Sequence, residues 1–196
     1  MNLEKTIKNL KNRNFKVSYF ATRAEASEYL NSQMDGSTIG IGGCKTAEEL
    51  GLFQSLSQHN EVFWHWKVPG QETYRNAAAA RYYISSANAI SEDGEILNID
   101  GRGNRVASTL FGHEKLFIVA GVNKIEENFE AALSRARNVA AVTNVKRFDM
   151  PVPCKIDDKC HDCRVPGHAC NALVVLWSPM MDMETEVVLI GEELGY

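Results

Sequence analysis

A chain of 196 residues with net charge −4, 44% hydrophobic and 23% charged residues has the composition of a soluble globular protein of about one domain. Its acidic balance leaves no basic footprint for nucleic acid, and no stretch approaches the roughly 18 apolar residues of a membrane span. Residues 1–5 carry no apolar run of the kind that directs secretion, so a cytoplasmic setting is the default, where disulfides are rare. The five cysteines then need a role other than stapling.

Leu3, Ile7 and Leu10 recur at helical spacing and predict an amphipathic helix over residues 2–13. Residues 15–20 read as a short strand. Thr22 followed by Glu25 is a capping box that opens a helix continuing over 26–34. A strand at 37–41 runs into Gly42-Gly43-Cys44-Lys45. Thr46 and Glu49 form a second expected capping box, with a helix to about residue 56. Strand, glycine-rich turn and helix start in this order can hold an anion, because free N–H groups and the helix dipole point into the turn. Gly40-x-Gly42-Gly43 is neither the dinucleotide fingerprint nor a P-loop, so no nucleotide is implied. Cys44 sits where a thiolate would be stabilised, but a lone cysteine reads first as a small buried hydrophobe.

Residues 60–66 alternate Trp64 and Trp66 with Phe63 and His65, which suits a strand covered on both faces and makes His65 structural. The Ala-rich stretch 73–81 is helical, with Arg75 and Arg81 near its ends, either able to face a carboxylate. An apolar run over 82–90 turns at Asp93-Gly94 and returns over 95–99. Asp-Gly between apolar runs marks a hairpin, since glycine accepts the positive φ of a tight turn. The loop that follows holds Asp100, Gly101, Gly103, Asn104 and Arg105, so backbone and side-chain donors can converge on one anion. A small-molecule site at the end of a sheet is the sharper reading of it than a solvated turn.

Residues 106–111 look like a short helix. The near-continuous apolar run 115–120 suits a central parallel strand buried on both faces. Asn123 and Lys124 follow at its carboxyl end, where ligands of open α/β sheets bind. Residues 125–145 read as one long helix, with Phe129, Leu133, Val139 and Val142 inward and Arg135 and Arg137 on the solvated face. Residues 172–177 and 186–190 read as closing strands joined by a Ser-Pro-Met-Met turn.

Between the long helix and those strands the composition changes. Residues 149–171 are rich in proline and carry Cys154, Cys160, Cys163 and Cys170 at spacing C-x5-C-x2-C-x6-C. Four thiols this close in a reducing setting point to a bound soft metal. Zinc would take four thiolates tetrahedrally, and an iron–sulfur cluster would take the same four at its corners. The spacing matches neither common ferredoxins nor zinc ribbons, and His161 or His168 could replace a thiol.

The runs Ser86-Ala87-Asn88-Ala89-Ile90 and Asn98-Ile99-Asp100-Gly101-x-Gly103-Asn104-Arg105-Val106, the turn Gly121-Val122-Asn123-Lys124 and the cysteine loop ending Cys170-Asn171 resemble the LUD-domain family of lactate-utilisation proteins. The resemblance covers nearly the whole chain and is nearest the branch with a C-terminal four-cysteine loop. It implies a fold similar to the sugar-phosphate isomerase and CoA-transferase superfamily: a Rossmann-like parallel α/β sheet flanked by helices, here with the cysteine-rich loop and closing strands at its C-terminal side. Residues 1–196 then form one such domain, with 149–171 a metal-binding loop within it. In that superfamily glycine-rich turns after strands hold phosphate or carboxylate groups, which here implies Gly42, Gly43 and the loop 100–105. The family supplies no catalytic set.

The expected ligand site is therefore Gly42, Gly43, Asn98, Asp100, Gly101, Gly103, Asn104, Arg105, Asn123 and Lys124, with Arg105 or Lys124 on a carboxylate and Asp100 the only obvious acid–base candidate. The resemblance implies a component of organic-acid (lactate) oxidation, holding a small anionic metabolite and working with iron–sulfur or flavin oxidoreductase subunits. An iron–sulfur cluster, or zinc, would sit on Cys154, Cys160, Cys163 and Cys170. The alternatives are a stand-alone isomerase or transferase on a small phosphorylated or acyl substrate, with Asp100 or Glu92 as base, and a non-enzymatic metal- or redox-sensing subunit.

Overall fold

A computed structural model describes residues 1–196. The first half runs α1 (Leu3–Asn12), β1 (Lys16–Phe20), α2 (Arg23–Gln33), β2 (Thr38–Ile41), α3 (Lys45–Glu49), α4 (Leu52–Leu56), β3 (Glu61–Trp64), α5 (Gln71–Ala79) and β4 (Tyr82–Ser85). Then come β5 (Ala89–Ser91), β6 (Ile96–Asp100), α6 (Asn104–Leu110), β7 (Lys115–Gly121), a 3₁₀ turn (Val122–Lys124) and β8 (Ile125–Glu126). The chain continues through α7 (Phe129–Arg135), a π-helical stretch (Ala136–Ala141), α8 (Val142–Val145), α9 (Cys154–Asp157), β9 (Ala172–Leu176) and β10 (Glu184–Ile190).

Six strands make a parallel sheet in the order β1-β10-β7-β4-β2-β3. The apolar run at 115–120 is its interior strand β7, flanked by β10 and β4, as its lack of polar alternation requires. Successive side chains leave a strand on opposite faces, and both faces here are covered. Ile84, Phe117, Val119, Val188 and Ile190 join one buried cluster with α2, α3 and α4. Tyr83, Leu116, Ile118, Ala120, Val187 and Leu189 join another that includes Leu10 of α1. No helix is long and apolar enough to cross a membrane.

A second sheet has the order β8-β5-β6-β9, with β6 antiparallel to both β5 and β9. The Asp93-Gly94 hairpin forms as expected: Gly94 takes φ +91, and its N–H donates to the Ser91 carbonyl at 2.9 Å. The run 82–90, however, is not one strand. It splits between the two sheets, β4 in the first and β5 in the second, with Ser86-Ala87-Asn88 as the crossing. The closing strands also part company: β9 pairs with β6, while β10 lies inside the parallel sheet between β1 and β7.

Other expectations shift for local reasons. The capping box Thr22–Glu25 is present. Thr46 does not cap its helix. Cys44 occupies that position instead, its Sγ accepting from the Ala47 N–H at 3.2 Å, and Thr46 is turned inward. The long helix over 125–145 is also broken. Ile125 and Glu126 pair with Ile90 and Ser91 as β8, so the helix starts only at Phe129, where the Asn128 side chain accepts from the Ala131 N–H. Val139 points outward. Arg135 is buried, against its expected solvated place, and donates to the carbonyls of Asn123 at 3.0 Å and Asn88 at 2.6 Å. Arg137 does lie at the surface, paired with Asp162 at 2.7 Å.

Candidate functional site

Strands β7, β4 and β2 are neighbours and parallel, so their carboxyl ends open on the same edge, where ligands of such sheets bind. The end of β2 supplies Gly43 and Cys44, the end of β4 supplies Ser86 and Ala87, and the end of β7 supplies Lys124. They line a cavity of ≈ 550 Å³ that the loop after β6 closes with Asp100, Gly101, Asn104 and Arg105. The sequence-predicted residues Gly43, Asp100, Gly101, Asn104, Arg105 and Lys124 thus meet at one site. Gly42, Asn98, Gly103 and Asn123 do not line it but stand behind it.

Those four support the lining. A Cβ on Gly42 would sit 2.9 Å from Arg105 Cγ, so this glycine leaves room for the arginine stem. Asn98, essentially inaccessible, accepts a hydrogen bond from the Arg105 guanidinium. Gly103 takes φ +88 at the start of α6, a conformation that favours glycine. Asn123 Oδ1 accepts from the Leu194 N–H at 3.0 Å and ties down the C-terminal tail.

Arg105 is held on three sides. Besides Asn98, it donates to the Ile99 carbonyl at 2.7 Å and faces Asp100 Oδ2 at 3.4 Å. A guanidinium has five N–H donors, so some remain for a ligand. Asp100 is committed to the loop itself: its carboxylate accepts from the backbone N–H groups of Arg102 at 3.0 Å, Gly103 at 2.9 Å and Val106 at 3.3 Å. In this geometry Asp100 shapes the turn and orients Arg105. Glu92, the other carboxylate considered as a base, lies away from the cavity on the hairpin turn, where it accepts from the Asn2 N–H and sits 3.5 Å from Lys5 Nζ.

Lys124 is 3% exposed and has no carboxylate partner. Its ammonium donates to Ser86 Oγ at 2.9 Å, Thr46 Oγ1 at 3.1 Å and the Ala87 carbonyl at 3.1 Å. Burial pushes its pKa down to about 8. Cys44 is buried as a small residue of the core, and that burial pushes its thiol up, outweighing the helix start and the nearby Lys124.

Sequence reasoning missed the outer wall. Trp66 and Tyr74 line the cavity under two arginines, with the Arg147 guanidinium 3.8 Å from the Trp66 ring centroid and Arg102 5.0 Å from that of Tyr74. His65, read as structural, stacks on Tyr74 at 4.6 Å, and burial followed by the Arg102 charge lowers its pKa. Lys45, Arg102, Arg105, Lys124 and Arg147 face a cavity in which Asp100 is the one acidic side chain. Such a site attracts anions.

A second cavity, of ≈ 280 Å³, is lined by Cys154, Cys160, Cys163 and Cys170 together with His161 and Arg137. All four thiols are free. No three His, Cys, Asp or Glu side chains stand around a common point as ligands, so the fold brings the four thiols to one cavity without setting them in coordination geometry. Burial first, and then the neighbouring cysteines, push the thiols of Cys154 and Cys170 up. His168 turns the other way and lines the larger cavity. Val142, Val145, Val152 and Cys154 form a small apolar cluster that holds this segment against α8. The two cavities share Ile99, Ala141 and Cys170 as a common wall.

The sequence profile described as LUD domain matches residues 3–190. No curated protein matches the chain in sequence. The solved structure of a DUF162 family protein from Deinococcus radiodurans resembles it with a TM-score of 0.58 over 96% of each chain at 12% identity, a likeness of fold.

Proposed function

The chain belongs to the LUD domain family, a membership consistent with a lactate-utilisation-type protein, and from this premise we propose that it binds a small carboxylate metabolite as a component of organic-acid (lactate-type) oxidation. The observation that carries this reading is the common wall: a strongly cationic cavity at the carboxyl edge of the sheet abuts a cavity lined by four cysteines, with Cys170 facing both. Arg105, with Lys124 behind it, would hold the carboxylate. Asp100 would keep Arg105 oriented. Cys154, Cys160, Cys163 and Cys170 would hold an iron–sulfur cluster, as the resemblance to the branch with a C-terminal cysteine loop implies, or zinc. A bound cluster supplies one-electron transfer, and oxidoreductase subunits carrying iron–sulfur or flavin groups would be the electron partners.

Anaerobic purification followed by iron, zinc and acid-labile sulfide analysis, with the visible spectrum, tests the proposal. The expected protein is brown, with iron and sulfide lost in the Cys160→Ser/Cys163→Ser double variant, and lactate or pyruvate raises its melting temperature. A colourless, zinc-loaded protein would refute an electron-transfer role.

A further inference from the structure

We propose that Lys124 is a carbonyl-reactive amine that condenses with the oxo group of a 2-oxo acid seated in the larger cavity. This rests on the reading of that cavity as a small-carboxylate site, since a 2-oxo acid is what oxidation of a 2-hydroxy acid yields.

The surroundings of Lys124 differ from those of a structural lysine. Lys115, a partly buried lysine, is neutralised by Glu184 at 2.6 Å and Glu186 at 2.7 Å. Lys124 has only Ser86 Oγ, Thr46 Oγ1 and the Ala87 carbonyl, all within 3.1 Å. Hydroxyl groups accept from an ammonium and donate to the lone pair of an amine, so this shell accommodates both protonation states. Burial, with the Arg135 and Arg105 charges nearby, holds the pKa at about 8, which leaves about one-tenth of the side chain unprotonated at pH 7. A desolvated lysine of this kind is the form used as a nucleophile towards carbonyls.

Position matches reactivity. Lys124 and Arg105 line the same cavity, so a carboxylate held by Arg105 presents an adjacent oxo carbon inside it. The amine nitrogen bonds to that carbon to give a carbinolamine. The former carbonyl oxygen then leaves as water with the two amine protons, and a C=N bond remains. No electrons are exchanged, and hydrolysis reverses the step. Ser86 and Thr46, already bonded to Nζ, are placed to relay the protons.

The test is reductive trapping with pyruvate as the probe. Full-length protein is incubated with pyruvate and sodium borohydride and examined by intact mass and peptide mapping, while calorimetry measures pyruvate binding without reductant. The expected result is one borohydride-dependent adduct per chain, mapped to Lys124 and absent from a Lys124→Arg variant that melts as the parent does. Mapping on the unmodified protein decides the matter even if that variant fails to fold. Pyruvate binding without trapping, or adducts spread over exposed lysines, overturns the proposal and leaves the carboxylate site standing. Absence of pyruvate binding removes both.

Discussion

Gly101 lies so close to Ala169 that a Cβ on the glycine would stand 2.6 Å from the Ala169 carbonyl oxygen. The cavity-lining loop after β6 and the cysteine segment are therefore packed backbone to backbone. Asn171 reinforces the contact: its N–H donates to the Asp100 carbonyl at 2.9 Å and its side chain to the Gly101 carbonyl at 2.7 Å. Asp100 is also paired with Ala172 at the end of the β6–β9 ladder. A change on one side of this seam is felt on the other.

Gly101→Ala is the direct probe of the seam. The added methyl meets backbone, which cannot rotate away, so the loop or the 168–170 segment must move, at a cost of about 1–3 kcal/mol. Both cavities should respond: the melting temperature falls, anion affinity weakens, and Cys170 reacts faster with a thiol reagent. Unchanged Cys170 labelling beside weakened anion binding would show that the two segments move independently.

Arg105→Lys keeps the charge but loses the fork that spans Asn98 and the Ile99 carbonyl. Lysine also lacks the planar pair of donors that a guanidinium offers a carboxylate, and a charged hydrogen bond is worth about 1.5–3 kcal/mol, so pyruvate affinity measured by calorimetry should drop by about tenfold or more. A modest loss of stability should accompany it, because the buried Asn98 loses its charged donor and keeps only the Asn88 N–H at 3.2 Å. Wild-type affinity in this variant would move the carboxylate contact elsewhere, with Arg102 and Arg147 the remaining arginines of the cavity.

Much of this arrangement could be read from the chain before folding. The run 115–120 reads as an interior strand because no polar residue follows Lys115 in it, and Asp93-Gly94 reads as a turn. The glycine-rich loop with Arg105 could be read as one unit because its residues are adjacent in sequence, and it forms one wall of the larger cavity. The aromatic wall did not declare itself. Trp66 lies just after β3, Tyr74 on α5 and Arg147 far along the chain after α8, and no periodicity links them. Arg135 misled for a different reason. A charged residue at helical spacing reads as solvated, and only the folded chain reveals two carbonyls, on Asn88 and Asn123, that need its donors. Likewise β8 is a strand only because β5 lies beside it. The meeting of the cysteines with the loop over residues 100–105 depends on the β6–β9 ladder, whose register no local pattern specifies.

Arg135→Met tests the value of that buried pair of bonds. The methylene stem is replaced, but two carbonyls lose a charged donor, so a loss of about 1.5–3 kcal/mol is expected in urea denaturation. Lys124 follows Asn123 directly, so its trapping by pyruvate should fall as well. A neutral effect on stability would mean that water replaces the guanidinium.

Acid stability follows from carboxylates that do not line the larger cavity. Glu186 is fully buried, and burial alone would raise its pKa, but hydrogen bonds from Lys115, Ser18 and Tyr29 outweigh this and hold it below the ordinary value of 4.5. Glu184 is lowered by Lys115, and Glu48, by Lys67 and then Lys45, to about 2. A carboxyl with a depressed folded pKa binds protons more tightly when unfolded, so stability rises with pH across the interval between the two values. These contributions are complete above the unfolded value and are lost as pH falls through the folded ones. The melting temperature should therefore be level only near neutrality, decline gently below about pH 6.5, where burial keeps His65 and His113 from taking the protons that the unfolded chain accepts, and drop steeply below about pH 4.5. Glu186→Gln should lower the neutral plateau by about 1.5–3 kcal/mol, through loss of a charged acceptor for three donors, and flatten the acid limb. Parallel curves for the two proteins, offset but equally steep, would assign the acid transition to Glu48 and Glu184 instead.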